Sequence, residues 1–235
     1  MQENIILRDI YVADTETTGF GPAANVVEYA HAECVLVDLG EYSQLRIVEE
    51  VSSLINPQSP IPEQASKIHG ITDDLVADSP SLGQFLAPVR HKVGEHSLML
   101  GHNFVDYDWQ YLDAHFLPKP QLGCTLRAAR QLLDLPSNKL GDIYERIGGP
   151  AETAHRAAGD VRMTVAIINH LLRSVSWEML HQVMTTEQLP TKMPFGKHKG
   201  KLISELPRDY IEWGLANMTG LRPALRKAME LALEG

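Results

Sequence analysis

The hydrophobic positions of the chain follow two periods. Residues 10–13 form a short apolar run, and residues 26–39 carry Val26, Val27, Tyr29, Cys34, Val35, Leu36 and Val37 before Gly40 closes the stretch. Both read as strands. Residues 45–55 add a third β-prone stretch that ends at Asn56-Pro57. Only short turns separate the three, so they are expected to be antiparallel neighbours. A proline-rich loop over residues 57–62 leads to a short helix over residues 63–70, stopped by Gly70. Residues 81–93 switch to helical spacing, with Leu82, Phe85, Leu86 and Val89 on one face. Residues 97–101 give another apolar strand, 107–116 a helix, 121–125 a short strand, and 126–133 and 138–147 two more helices. Val161, Val165, Ile168 and Leu172 form the inward stripe of a longer helix. Three strands, then strands alternating with helices, predict an α/β fold: a mixed sheet with helices packed against it.

The polar residues that end these runs carry the candidate chemistry. Residues 10–13 lead into Asp14 and Glu16, and the strand period of two puts both carboxylates on one face. Like charges that close repel, and a divalent cation between them is the simplest way to keep both ionised. Taken alone, the pair reads first as incidental acids at a solvated turn. The run at 97–101 also ends in polar residues, His102 and Asn103, with Asp106 and Asp108 just beyond. Asp160 opens the long helix, with His155 five positions before it. On a regular helix such positions lie about 140° apart. The two therefore share a site only if His155 precedes the helix, the plainer reading being a dipole-favoured acid and a surface histidine.

Together, Asp14-Thr15-Glu16-Thr17-Thr18-Gly19, Gly101-His102-Asn103 leading to Tyr107-Asp108, and His155 four residues clear of Asp160 resemble the DEDDh 3′-to-5′ exonucleases. Ile61-Pro62-Glu63-Gln64-Ala65 and Ile68-His69-Gly70-Ile71-Thr72 match that pattern too, so the likeness spans residues 9–173. Most members have one residue fewer before the aromatic-acid pair. Asp108 keeps that pair with Tyr107 and is the expected ligand, with Asp106 as the alternative. The resemblance implies a ribonuclease H-like mixed five-stranded sheet flanked by helices. It also implies two Mg²⁺ or Mn²⁺ ions held by Asp14, Glu16, Asp108 and Asp160, a hard-oxygen set that suits such ions. Asp14 would bridge both ions, Glu16 and Asp160 would complete the water-activating site, Asp108 would hold the second ion, and His155 would be the general base.

The same resemblance points to Thr17, Phe20, His69 and Asn103 as substrate contacts. Phe20 reads otherwise as a core plug, and His69 and Asn103 as fasteners of loops. The implied partner is nucleic acid, with single-stranded 3′ ends of DNA expected and nucleoside 5′-monophosphates released. RNA trimming and a catalytically silent nucleic-acid-binding protein are the alternatives.

Charge modifies this picture. A net charge of -9 argues at first against a polyanionic partner. Residues 192–227, however, hold eight Lys/Arg against three acids, whereas residues 1–191 hold thirteen against twenty-five. An acidic body suits a phosphate substrate if bound cations neutralise it where the substrate docks. The basic part centres on Pro194-Phe195-Gly196-Lys197-His198-Lys199-Gly200-Lys201, with Tyr210 and Trp213 following, and resembles the small C-terminal module of exonuclease X-like proteins. Its glycines and lysines could cradle phosphates through main-chain N–H groups and charge, or form a solvated turn. The expected division is an exonuclease domain over residues 1–175, a connecting helix and linker over 176–192, and a small, mainly helical module over 193–235. No apolar run approaches a membrane span, and the start of the chain lacks a secretory pattern. Cys34 and Cys124 lie far apart with no ligand spacing, and are expected to be reduced core residues of a cytoplasmic protein.

Overall fold

The structure, a computed structural model, describes residues 4–150, 155–187, 189–218, 221 and 223–234. It divides into two compact units, Met1–Thr185 and Thr186–Gly235.

The first unit is built on β1 (Asn4–Thr17), β2 (Val26–Asp38), β3 (Ser43–Leu54), β4 (Leu98–Gly101) and β5 (Gln121–Cys124). These form one five-stranded sheet in the order β3-β2-β1-β4-β5. The first three strands pair antiparallel, as their short connections require, and β4 and β5 join in parallel after helical crossovers. The helices are α1 (Glu63–His69), α2 (Asp73–Val76), α3 (Leu82–Val89), α4 (Trp109–Leu112), α5 (Thr125–Leu132), α6 (Leu140–Arg146), α7 (Ala157–Leu171) and α8 (Trp177–Thr185). Gly70 ends α1 in the left-handed region, with φ 74° and its N–H donated to the Ser66 carbonyl.

Alternation along β1 builds a core on each face of the sheet. Ile10 and Val12 join Val161, Val165, Ile168 and Leu180 on one side, while Tyr11 and Ala13 join Leu86, Phe104, Trp109 and Phe116 on the other. The helix α7 packs across β1, β2 and β3. Gly101 ends β4 where a Cβ would stand 2.5 Å from the Ala13 carbonyl oxygen and 2.7 Å from Phe104 Cβ, so only glycine lets β4 and the next loop close on β1. Both cysteines are buried and free.

Four elements depart from expectation. The strand β1 runs on to Thr17 because β2 pairs with it as far as Thr17–Val26, so Asp14 and Glu16 lie inside a paired strand. The helix expected over residues 81–93 spans only Leu82–Val89 and contains Pro88. That over residues 107–116 reduces to α4 and a 3-10 turn over Asp113–His115. The helix α8, expected as a connector, packs against β5 and α5 in the first unit.

The second unit carries α9 (Arg208–Asn217) and α10 (Pro223–Glu234), two 3-10 turns, and an antiparallel bridge between Lys192 and Leu202. Its own core gathers Met193, Ile203, Leu206, Ile211, Leu225 and Met229. Among the described residues, no helix is long and apolar enough to cross a membrane.

Candidate active site

The two faces of β1 bring two walls of one site together. Even-numbered positions follow Ile10 and Val12, so Asp14 and Glu16 rise on the α7 side, where Asp160 occupies the first turn. Odd-numbered positions turn the other way. There the Thr15 N–H and hydroxyl both donate to Asp108 Oδ1, at 3.0 and 2.6 Å, and the Thr17 hydroxyl lies 2.6 Å from that of Tyr107. Asp108 is thus tied to the strand that carries Asp14.

His155 stands before α7 in a left-handed conformation, φ 60°, which brings it back beside Asp160. Its main chain hydrogen-bonds the Asp160 carboxylate. Glu16, His155 and Asp160 each offer a ligand atom within 4.8 Å of the others. The start of α7 has no cap of its own. Instead Glu28, buried on β2, accepts from Nε and Nη2 of Arg156, the latter at 2.7 Å, and from the Ala157 N–H at 2.9 Å.

The cleft so formed has a volume of about 790 Å³ and is lined by all nine residues singled out in the sequence. Phe20 is 85% exposed and 5.9 Å from the Tyr107 ring, which rules out the core-plug reading. Thr17 donates to the Gly19 carbonyl, and Tyr107 donates to the same oxygen, so the turn carrying Phe20 is pinned from both sides. Asn103 adopts φ 64°, a conformation asparagine tolerates. His69 is buried, its Nδ1 accepts the Ile71 N–H, and burial lowers its pKa, disfavouring the charged ring. His102, Tyr107 and Gln64 line the cleft without having been singled out. His102 is committed to structure: its two nitrogens bond Thr125 Oγ1 and the Asn138 carbonyl. The more telling omissions are Glu28 and Arg156, whose pairing spans 128 positions and leaves no local signal.

Every carboxyl group of the cluster is pushed upward. Burial does most to Asp14, which rises well above the usual range, followed by Asp108, Asp160 and Glu16 as like charges. Burial, then Asp160 and Glu28, raise Glu16 to about 8. Burial raises Asp108 to about 7 against the opposing Thr15 hydrogen bonds, and Asp160 to about 6 against the opposing effect of His155. Asp160 Oδ1 is buried with no hydrogen-bond partner among the described residues. Four mutually repelling carboxyls, one with an unpartnered oxygen, fit hard divalent cations.

Residues 11–168 match the family model described as exonuclease. Residues 181–226 match a second model, that of a quorum-sensing-regulated virulence factor. The chain is 28% identical over 235 residues to exodeoxyribonuclease 10 of Escherichia coli strain K12, covering 95% of this chain and 98% of that one. It is 29% identical over 184 residues to DNA polymerase III subunit epsilon of Aquifex aeolicus, covering 74% and 86%. Among solved structures it resembles exonuclease X in complex with 5′ overhanging duplex DNA, with TM-score 0.56 and 25% identity over 74% of this chain and 97% of that one. Its fold is also that of E. coli exonuclease I in complex with a dT13 oligonucleotide, with TM-score 0.56 and 21% identity over 69% of this chain and 40% of that one. With its cleft, its carboxylate set and two thirds of its length accounted for in this way, the chain belongs to the exonuclease family, in the DEDDh superfamily on a ribonuclease H-like fold.

Proposed function

We propose that the enzyme is a two-metal 3′-to-5′ exonuclease that acts on single-stranded 3′ ends of DNA and releases nucleoside 5′-monophosphates. The observation that carries this reading is the convergence of Asp14, Glu16, Asp108, Asp160 and His155 in one cleft, with all four carboxyls driven upward. The names of the relatives, an exodeoxyribonuclease and a DNA polymerase subunit, support DNA as the substrate.

In this reading Asp14, Glu16, Asp108 and Asp160 would hold two Mg²⁺ or Mn²⁺ ions, whose charge would offset that of the phosphate and ease deprotonation of the attacking water near neutral pH. Phe20 stacks on the terminal base, an interaction worth ~1–3 kcal/mol and indifferent to sequence. Thr17, His69 and Asn103 form the wall against which the terminal nucleotide rests. His155 takes the proton of the attacking water at an imidazole nitrogen while the water oxygen bonds to phosphorus. The P–O3′ bond breaks, and O3′ leaves with the shortened strand and takes a proton from solvent. Catalysis belongs to residues 1–175, with 193–235 a separate basic module, in a cytoplasmic setting where Cys34 and Cys124 stay reduced.

Calorimetric titration with Mn²⁺, combined with chromatography of the products, tests this. Two ions per wild-type chain, weakened binding in Asp14→Asn, and nucleoside 5′-monophosphates as products are expected. Nucleoside 3′-monophosphates, or equal binding by the variant, would overturn it.

A further inference from the structure

The second unit leaves its largest aromatic side chain in water. Its core closes around Met193, Ile203, Ile211, Leu225 and Met229, while Trp213 stays 54% exposed on another face of α9. Tyr210, three residues earlier and so on the same face, lies 6.3 Å from the Trp213 ring at an interplanar angle of 31°. The loop before α9 packs onto Tyr210. His198 meets Tyr210 edge-on at 4.4 Å, and Lys197 Nζ stands 5.5 Å from the Tyr210 centroid. The aromatic pair is thereby continuous with a basic stretch: residues 192–201 hold four lysines and no acid, and all four lysines are exposed. The acids of α9 are engaged locally, Asp209 accepting from the Tyr210 N–H and Glu212 from Arg208.

The geometry decides how such a loop can meet phosphate. The main-chain N–H groups of Lys199, Gly200 and Lys201 are donated to the carbonyls of Gly196, Met193 and His198. An N–H cradle is therefore closed at these positions, and phosphate contact falls to the lysine side chains. An exposed ring, here Trp213 beside the half-buried Tyr210, and lysines that reach a backbone are the two elements by which single strands are held without regard to sequence.

We infer that this face, Trp213 and Tyr210 with Lys197, Lys199 and Lys201, is a binding site for single-stranded nucleic acid, with a base stacked on Trp213 and neighbouring phosphates on the lysines. The inference rests on the nucleic-acid reading above only for the identity of the strand. Carried on the same chain as the cleft, such a site raises the local concentration of long substrates and leaves very short ones unaffected.

The test uses the full chain in EDTA with (dT)20 as probe. Trp109 and Trp177 are each only 9% exposed, so quenching of tryptophan emission reports on Trp213. The expected results are quenching on titration, loss of that quenching and roughly tenfold weaker binding in Trp213→Ala, and a log–log salt slope shallower by about 2 when the three lysines become alanine. With Mg²⁺, both variants should raise KM on (dT)20 and leave hydrolysis of (dT)3 unchanged. Wild-type affinity and salt slope in both variants, with unchanged circular dichroism, would overturn the site, and binding of a protein instead of the strand by this face would do the same. Failure of the wild type to hydrolyse (dT)3 would count against the exonuclease reading, while the binding results would stand or fall separately.

Discussion

Single residues set the electrostatics of the cleft. Glu16 is held near 8 in the folded chain against 4.5 when unfolded, so the folded state keeps a proton that the unfolded state has lost. Stability from this group is complete below about pH 4.5 and is lost as pH rises through 8. In EDTA, Glu16→Gln should therefore melt close to wild type at pH 4.5 and several degrees higher at pH 8.5. Equal melting temperatures at pH 8.5 by scanning fluorimetry would contradict the charge argument. Asp108→Ala should abolish cleavage and Asp106→Ala should leave it near wild type, because Asp108 lines the cleft beside Thr15. The reverse outcome in a gel assay would move the ligand by two positions. Asp14 and Glu16 were legible because a two-residue period survives from sequence to strand. The hydrogen bonds from Thr15 to Asp108 were not, since they join residues 93 apart through tertiary packing alone.

The elements do the positioning. The strand β1 serves the two walls of the cleft through its alternating faces, and that much could be read from spacing. The entry to α7 could not. Glu28 accepts from Arg156 and from the Ala157 N–H, which replaces a missing N-cap and fixes the start of α7 between His155 and Asp160. The Glu28 side chain is 5% exposed and that of Arg156 45%, so the pair is screened on one side only. Glu28→Ala should cost about 2–3 kcal/mol of stability and lower kcat by tenfold or more, with KM changing less. Denaturant unfolding and steady-state kinetics check both, and a variant with wild-type kcat would show that α7 needs no anchor on β2. Helix lengths were the least legible feature, because Pro88 and the 3-10 turn after Leu112 yield to packing that a periodic pattern does not encode.

At the scale of the whole molecule charge is unevenly divided, thirteen Lys/Arg against twenty-five acids over residues 1–191 and eight against three over residues 192–227. In the proposed reading the acidic part needs cations to accept a polyanion, and the basic part does not. The mixed sheet with helices against it follows from the run of strands and helices, and its five strands from the family resemblance, so the architecture was largely legible, whereas the strand order was not. The sharing of α8 with the first unit was not, since its apolar stripe does not say which neighbour it meets. On the proposed two-ion reading, divalent ions bind only the folded cluster, so saturating Mn²⁺ should raise the melting temperature, with ~2.7 kcal/mol gained at one hundred times the dissociation constant. Asp14→Asn should lose most of that gain.

The central claim is tested most directly by incubating single-stranded DNA and RNA of one sequence, labelled at the 5′ or the 3′ end, with wild-type enzyme in Mg²⁺, in EDTA, and with Asp14→Ala. The account predicts a ladder on 5′-labelled DNA, immediate release of mononucleotide from 3′-labelled DNA, slower loss of RNA, and no cleavage in EDTA or by the variant. Shortening from the 5′ end, or a ladder that persists in EDTA, would contradict it.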